Sequence, residues 1–278
     1  MFKKIILTLI LIVSFAFAGT YPVNSIEYSA SLKLDKFSNG QSDLKAYQQH
    51  LFDLISTSRI VDDSIKLDKE QKVSYWDTKE RLLRGQKIIV RLRTKGKKSQ
   101  ITLKYRGANK EAAENFDLPT NYKTKTKTEI DRYINKDSFS RSITVKIKGT
   151  TITSAMLLEI FPSLKNYGLT AKKEIHAVNN YNINSKSYEI GEYRFGKKKA
   201  KKKTTTSSFD LSLWSCDNGK IIAAEVSWKI RNSGIKKISS LNRAMDLLKT
   251  ISLDKQWTAE QSNTKTSIAY DSKDICKQ

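Results

Sequence analysis

The sequence predicts an α+β protein with a largely antiparallel β-sheet that is closed or strongly curved. About eight or nine segments alternate apolar or small residues with polar ones, which is the pattern of half-buried strands. The predicted helices do not separate the strands in a βαβ rhythm, so we expect antiparallel pairing. With 278 residues, of which 38% are hydrophobic, the chain can bury a substantial core.

The individual elements follow from local patterns. Strict alternation over 26–35 predicts a strand, and helical spacing over 42–60 predicts a helix. A short strand is predicted over 73–77. The polar excursion 107–140 contains one helical piece near 109–116. Further strands are predicted at 140–148, 169–178, 187–195, 209–215, 220–231 and 264–270, and further helices at 153–161 and 239–251.

The first 18 residues have the pattern of a secretory signal. Lys3 and Lys4 precede an apolar run over 5–18 that ends in a small-x-small motif. This pattern predicts cleavage after Ala18 and leaves a single domain over 19–278. A membrane anchor is the alternative, although the run is short for a bilayer span. We therefore expect a periplasmic or secreted protein with no transmembrane segment after cleavage.

The net charge of +23 favours anionic partners, and by itself leaves phosphates, nucleic acid and membrane surfaces open. Six lysines crowd into 197–203, and a polar stretch follows. A solvated loop is the simplest interpretation of this run. No aromatic stacking platform lies beside it in sequence, so nucleic acid is not the expected partner.

A predicted hairpin over 87–106 carries the clearest functional signal. Arg91 and Arg93 share one face of its first strand, and Lys104 and Arg106 share one face of the second. Like charges on neighbouring strands repel, and no acidic residue accompanies them on the hairpin. An anion site is therefore predicted, with a solvated strand face as the alternative.

Cys216 and Cys276 are the two cysteines of the chain. In an oxidising compartment they are expected to form one disulfide, and two buried thiols are the alternative. The two histidines are far from both cysteines in sequence, so no His and Cys metal cluster is indicated.

Several segments resemble the CYTH superfamily, also called the triphosphate tunnel metalloenzymes. They are Y-W-D-T at 75–78, the leucine pair at 82–83, V-R-L-R at 90–93, I-T-L-K at 101–104, F-D-L at 209–211 and A-E-V at 224–226. The family includes class IV adenylate cyclases, thiamine triphosphatases, RNA triphosphatases and inorganic triphosphatases.

This resemblance implies an eight-stranded, closed antiparallel barrel with flanking helices. Basic side chains inside such a tunnel would grip a triphosphate, and paired glutamates would hold Mg²⁺ or Mn²⁺. Carried over to this sequence, the substrate-binding residues are Arg91, Arg93 and Lys104, with Arg106 on the same face. Lys33 matches the lysine of the family's opening E-x-E-x-K strand.

The sequence departs from this family at its acidic positions. Ser29 and Ser31 stand where the opening glutamates are expected, and Ser227 replaces one glutamate of the later pair. The remaining candidates for metal ligands, which favour hard oxygens, are Glu27, Asp210 and Glu225.

The retained bases and reduced acids predict a protein that binds a triphosphate, a polyphosphate or another phosphorylated anion, with weak or lost hydrolysis. A metal-dependent triphosphatase with a reduced carboxylate set is the first alternative. A basic envelope protein whose barrel is only a scaffold is the second.

Overall fold

A computed structural model describes residues 22–117, 119–179, 182–196, 205–231, 234–260, 264–271 and 275–276. The predicted signal segment 1–18 and the lysine run 197–203 lie outside these residues. The strands are β1 (Ser25–Ser31), β2 (Ile60–Asp62), β3 (Lys66–Asp77), β4 (Ile88–Lys95), β5 (Lys98–Gly107), β6 (Thr124–Tyr133), β7 (Lys136–Ile147), β8 (His176–Ala177), β9 (Ile183–Arg194), β10 (Thr206–Ser215) and β11 (Ile221–Arg231). The α-helices are α1 (Gln41–Leu54), α2 (Leu82–Gly85), α3 (Lys110–Glu114), α4 (Ser154–Ile160), α5 (Ile238–Leu253) and α6 (Lys265–Asp271).

The strands close into a barrel, as predicted. In the described part of the chain, nine strands form the ring in the order β9-β10-β11-β1-β6-β7-β5-β4-β3, and pairing of β3 with β9 closes it. Strands β1 and β6 run parallel, whereas the other pairs in the ring are antiparallel. The short strands β2 and β8 are added outside the ring, on β9 and β3.

The ring has one strand more than the resemblance implies. Within the predicted excursion 107–140, β6 occupies Thr124–Tyr133 and pairs with both β1 and β7. Its sequence, TKTKTEIDRY, places charged residues on one face and mostly threonine on the other. Because an apolar stripe is almost absent, the alternation rule did not identify this segment as a strand.

Two other sequence predictions are wrong. Segment 264–270 is helical, since α6 runs over Lys265–Asp271 and buries Thr266, Ala269 and Tyr270 at helical spacing. Segment 169–178 contains only the two-residue strand β8, because turns follow Gly168, which has a φ of 83°. The other predicted strands and helices are present, with shifted ends.

Helices cover the apolar outer face of the barrel. Helices α1 and α5 pack on one side, where Trp228 of β11 stacks on Tyr28 of β1 with ring centroids 5.8 Å apart. Helix α4 covers the other side, where Leu157 meets the apolar face of β4, β5 and β7. Burying apolar side chains outside the ring leaves the inner faces for polar and charged residues.

Two further features concern the whole fold. Cys216, at the end of β10, forms a disulfide with Cys276, and their Cα atoms are 5.6 Å apart. Among the residues that the model describes, no helix is both long and apolar enough to cross a membrane.

Candidate functional site

The inner faces of the barrel strands enclose a cavity of about 480 Å³. This volume lies within the range of pockets that hold small-molecule ligands. Basic side chains outnumber acidic ones in the described lining, ten to five. The basic ones are Lys69, Arg91, Arg93, Lys104, Arg106, Lys125, Lys127, Lys229, Arg231 and Lys265, and the acidic ones are Glu27, Glu129, Asp131, Asp210 and Glu225.

Arg91 and Arg93 project into this cavity from β4. Neither guanidinium forms an ion pair with a carboxylate in the described part of the chain, and both Nε atoms are buried without a hydrogen-bond partner. Their cross-strand partners on β5, Thr102 and Gln100, are neutral. Burial lowers the pKa of Arg93 to about 9, and the neighbouring Arg91 contributes to this shift. Arg93 thus remains cationic at neutral pH, although it forms no ion pair among the described residues.

Lys104 and Arg106 also face the cavity, but they share one carboxylate. Lys104 Nζ and Arg106 Nη1 each lie 2.9 Å from Asp131 Oδ2 of β6. Burial lowers the pKa of Lys104, and Asp131 opposes that shift. Burial by itself would raise the pKa of Asp131, but Lys104 and Arg106 outweigh it and lower the value. Together these three side chains carry one net positive charge.

Lys229 of β11 connects two glutamates. Its Nζ lies 2.8 Å from Glu27 Oε2 and 2.8 Å from Glu129 Oε1. Burial would lower the pKa of Lys229, but the two carboxylates outweigh this effect and raise it. Burial would raise the pKa of Glu129, but Lys229, Lys104 and Lys127 hold it well below its usual range. Lys229 and Glu129 are therefore both charged at neutral pH.

The last two cavity carboxylates have different surroundings. Glu225 of β11 accepts from Lys265 Nζ at 2.7 Å and from the Tyr133 hydroxyl at 3.4 Å. Asp210 of β10 forms no ion pair among the described residues, although the charge of Lys69 reaches it. Burial, reinforced by the charge of Glu27, raises the pKa of Asp210 to about 6.

One end of the cavity is covered by α6. Tyr270 and Ala269 of this helix are fully buried against Val73, Tyr75 and Trp214, which are apolar side chains of the barrel lining. Arg81 Nη2 donates to the carbonyl of Tyr270 at 2.7 Å, which fixes the end of the helix. This apolar cluster adjoins the two arginines, because Val73 pairs with Arg93 and Tyr75 with Arg91 in the β3–β4 register.

Lys33 is not brought to the site. Strand β1 ends at Ser31, and Lys33 lies beyond it, where its Nζ donates to the carbonyl of Lys255 at 2.6 Å. The chain turns away from the barrel into a 3-10 helix at Leu34 before this side chain can face the lining. The structure thus places Arg91, Arg93, Lys104 and Arg106 together in the cavity, but leaves Lys33 outside it.

Mg²⁺ or Mn²⁺, which the resemblance implies, does not fit these carboxylates as they stand. Divalent magnesium needs several oxygen ligands in near-octahedral geometry. Glu27, Glu129, Asp131 and Glu225 each already bind a lysine or arginine. In the described part of the chain, no group of three or more acidic, His or Cys residues is arranged to hold a metal. Ser29 and Ser227, which replace expected glutamates, line the cavity as neutral side chains.

Sequence reasoning missed the contribution of β6. Lys125, Lys127, Glu129 and Asp131 all line the cavity from this strand. The sequence does carry a signal for this strand, because these four charged residues occupy every second position from 125 to 131.

Comparisons with known proteins give structural neighbours only. No protein-family model and no curated protein matches the chain. Similar solved structures include a candidate adenylyl cyclase from Hippeastrum, which is described as having a dominant triphosphatase activity. It is 13% identical to this chain, the comparison covers 90% of this chain and 97% of that chain, and the TM-score is 0.47. Candidate adenylate cyclases from Bacillus halodurans (12% identity, 88% and 96% covered, TM-score 0.42) and Vibrio parahaemolyticus (11%, 89% and 98%, 0.35) are also similar. At these values, the similarity identifies neither an activity nor a ligand for this chain.

Proposed function

We propose that this chain is a CYTH-like protein that binds a triphosphate, a polyphosphate or another phosphorylated anion in its basic cavity, with weak or lost hydrolysis. The observation that carries the proposal is the pair Arg91 and Arg93. Their guanidinium groups line the cavity, and neither forms an ion pair with a carboxylate among the described residues. Buried charges without a counter-ion are costly, so an anionic ligand would remove a standing electrostatic penalty.

The chemistry of these side chains favours phosphate oxygens. A guanidinium presents a planar fork of donors that matches two oxygens of one phosphate. The Nε of each arginine has no hydrogen-bond partner among the described residues, so neither guanidinium is fully satisfied by the protein itself. A carboxylate ligand could also bind, but a phosphate chain carries more negative charge, which suits a cavity with twice as many bases as acids.

The order of the bases along the barrel favours a linear anion. In the β4–β5 register, Arg93 is level with Gln100, Arg91 with Thr102, and Ile89 with Lys104. Arg93, Arg91, Lys104 and Arg106 therefore occupy successive levels, about 7 Å apart along the strands. Arg91 and Arg93 are free for the ligand, whereas Lys104 and Arg106 retain one shared acid, Asp131.

Titration calorimetry with tripolyphosphate in a metal-free buffer tests this proposal. Each guanidinium contact to a charged group is expected to contribute about 1.5–3 kcal/mol, so Arg91→Ala and Arg93→Ala should each weaken binding roughly 10-fold to 100-fold. Arg91→Lys keeps the charge but loses the fork, and should fall between wild type and Arg91→Ala. Lys45→Ala, on the exposed face of α1, removes the same charge outside the cavity and should leave the affinity unchanged.

Two results would contradict the proposal. Tripolyphosphate that binds equally well to the Arg91→Ala/Arg93→Ala double variant would place the anion elsewhere. A folded wild-type protein that binds no phosphate compound would leave only the scaffold hypothesis. Circular dichroism of each variant separates loss of binding from loss of fold.

A metal-dependent triphosphatase is the second candidate, and Asp210 is the observation in its favour. Its carboxylate has no ion pair among the described residues, and its pKa of about 6 suits a group that accepts a proton near neutral pH. Phosphate release from tripolyphosphate, measured with and without Mn²⁺, tests this candidate. Release that depends on Mn²⁺ and disappears in both Asp210→Asn and Glu225→Gln would favour the enzyme over the binder.

We further propose that the domain over 19–278 is exported to the periplasm or beyond. The Cys216–Cys276 disulfide supports this, because disulfides persist in oxidising compartments. N-terminal sequencing of the mature protein tests the location and the cleavage site. A mature chain that retains residues 1–18 in the cytoplasmic fraction would contradict export.

A further inference from the structure

Three adjacent strands of the barrel meet at the Lys229 side chain. Lys229 on β11 is directly opposite Glu27 on β1, and Glu129 reaches the same ammonium from β6, the other neighbour of β1. The Ser25 hydroxyl donates to Glu129 Oε1 at 2.9 Å and helps to orient it. Because every member lies within a strand, the backbone fixes the relative positions of these groups.

The cation and its partners are largely removed from solvent. The Lys229 side chain is 11% exposed, Glu129 is 10% exposed and Glu27 is 27% exposed. An ammonium thus lies between two carboxylates in the wall of the cavity, a position that a divalent ion would also favour. The two cations exclude each other, because they would compete for the same oxygens and repel each other at short distance.

We propose that Lys229 is a resident cation that takes the place of a divalent metal in this cavity, so that the anion is bound without metal. This inference rests on the proposed function. Mg²⁺ binds oxygens at about 2.0–2.1 Å, and those of Glu27 and Glu129 that it would need already contact Lys229. A covalently attached ammonium is present at every metal concentration, so ligand binding does not depend on metal supply.

Lys229 also retains a donor for the ligand. A protonated lysine has three N–H donors, and the contacts to Glu27 and Glu129 use two of them. The side chain lines the cavity, so the third can reach a phosphate oxygen. A metal ion with bound substrate would supply the same two effects, charge neutralisation and a fixed electrophilic contact.

The decisive measurement is Mn²⁺ binding to the full mature chain in the absence of phosphate. Electron paramagnetic resonance and calorimetry detect this binding. Wild-type protein is expected to take up no Mn²⁺ in the cavity. In Lys229→Met, the two carboxylates lose their ammonium and should bind Mn²⁺. Metal-free affinity for tripolyphosphate should fall about tenfold in this variant, as expected for loss of one charged hydrogen bond, and Mn²⁺ should restore it.

Lys104→Met is the matched control. It removes the same charge from the same cavity, but leaves Lys229 between Glu27 and Glu129, so it should not acquire Mn²⁺ binding. If Lys229→Met does not fold, Lys229→Gln retains a donor to one carboxylate and provides a second test of metal uptake.

Two outcomes would overturn the inference: Mn²⁺ uptake by the wild-type cavity, and a folded Lys229→Met or Lys229→Gln protein that binds no Mn²⁺. Paramagnetic broadening of wild-type resonances near Glu27 and Glu129 detects the first outcome without any variant. Neither measurement contains phosphate, so failure of the proposed anion binding remains a separate result.

Discussion

Lys265 Nζ lies 2.7 Å from Glu225 Oε1, so the first residue of α6 is tied to a strand of the cavity wall. At the other end of the helix, Tyr270 is fully buried on Tyr75, with ring centroids 5.8 Å apart. Beyond the helix, Cys276 is bonded to Cys216 of the barrel. Three contacts of different kinds therefore hold α6 over one end of the cavity.

The disulfide is expected to contribute strongly to stability. Its cysteines are 60 residues apart, and cross-linking a loop of this length restricts the unfolded chain by roughly 4 kcal/mol. The Cys216→Ser/Cys276→Ser variant should lose about that much free energy of unfolding in urea. Trp214, which is buried under α6, should also become more accessible to acrylamide quenching. A reductant should lower the free energy of unfolding of the wild type but not that of the double variant. Equal free energies of unfolding of the two proteins without reductant would contradict this prediction.

Asp210 is expected to make stability depend on pH between about 4 and 6. Its pKa in the folded protein, about 6, is higher than the ordinary value of 3.8. In this window the folded state binds more protons than the unfolded state, so stability falls as pH rises through it. Asp210→Asn removes the penalty and should stabilise the protein on the order of 2 kcal/mol at neutral pH, with little change near pH 4.

Urea unfolding of both proteins at several pH values checks the Asp210 prediction. Asp35→Asn, on an exposed 3-10 helix, is the control and should leave the pH profile unchanged. The opposite trend arises at lower pH from Glu129 and Asp131, whose pKa values are lowered and whose protonation destabilises the fold. A wild-type profile that is flat between pH 4 and 6 would show that Asp210 is not buried as described.

Asp131→Asn should separate stability from anion binding. The change leaves Lys104 and Arg106 without their shared carboxylate, and breaking a buried ion pair costs about 3–5 kcal/mol. The same change gives the cavity one more uncompensated positive charge, so the affinity for tripolyphosphate should rise. Unfolding in urea and calorimetry measure the two effects.

Asp137→Asn is the matched control for Asp131→Asn. Asp137 binds Arg132 at 2.6 Å, but both side chains are about three-tenths exposed. Its loss should cost less than about 1 kcal/mol and leave the affinity unchanged. Weaker anion binding by a folded Asp131→Asn protein would show that Lys104 and Arg106 do not contact the ligand.

Asp77 is expected to be essential for the turn into β4. Its fully buried carboxylate accepts from the backbone N–H groups of Thr78, Leu83 and Arg84 at 2.8–2.9 Å. Asp77→Ala leaves three donors without partners and should destabilise the protein by at least about 3 kcal/mol. Asp77→Asn retains one acceptor oxygen and should cost less. Thermal unfolding that gives equal losses for both variants would contradict this role.

Much of the hairpin could be predicted because its pattern is local. Side chains alternate across any strand, so the positions of Arg91, Arg93, Lys104 and Arg106 on one face followed from their spacing alone. The apolar residues between them required cover on the opposite face, and the helices supply it. The number of alternating segments and the lack of a βαβ rhythm predicted a largely antiparallel sheet, closed or strongly curved, and the closed barrel was implied by the family resemblance.

The charge balance of the cavity depended on contacts between strands that are distant in sequence. Glu27 and Glu129 are about 100 residues apart in the chain, and both reach Lys229 only because β1 pairs with β11 on one side and runs parallel to β6 on the other. The register between two strands that are distant in sequence does not produce a periodic pattern in the sequence of either strand. By itself, the sequence determined which residues share a face on each strand that it identified, because that depends on a two-residue period. Only the tertiary structure decided which inward bases keep an acidic partner and which, like Arg91 and Arg93, form no ion pair among the described residues.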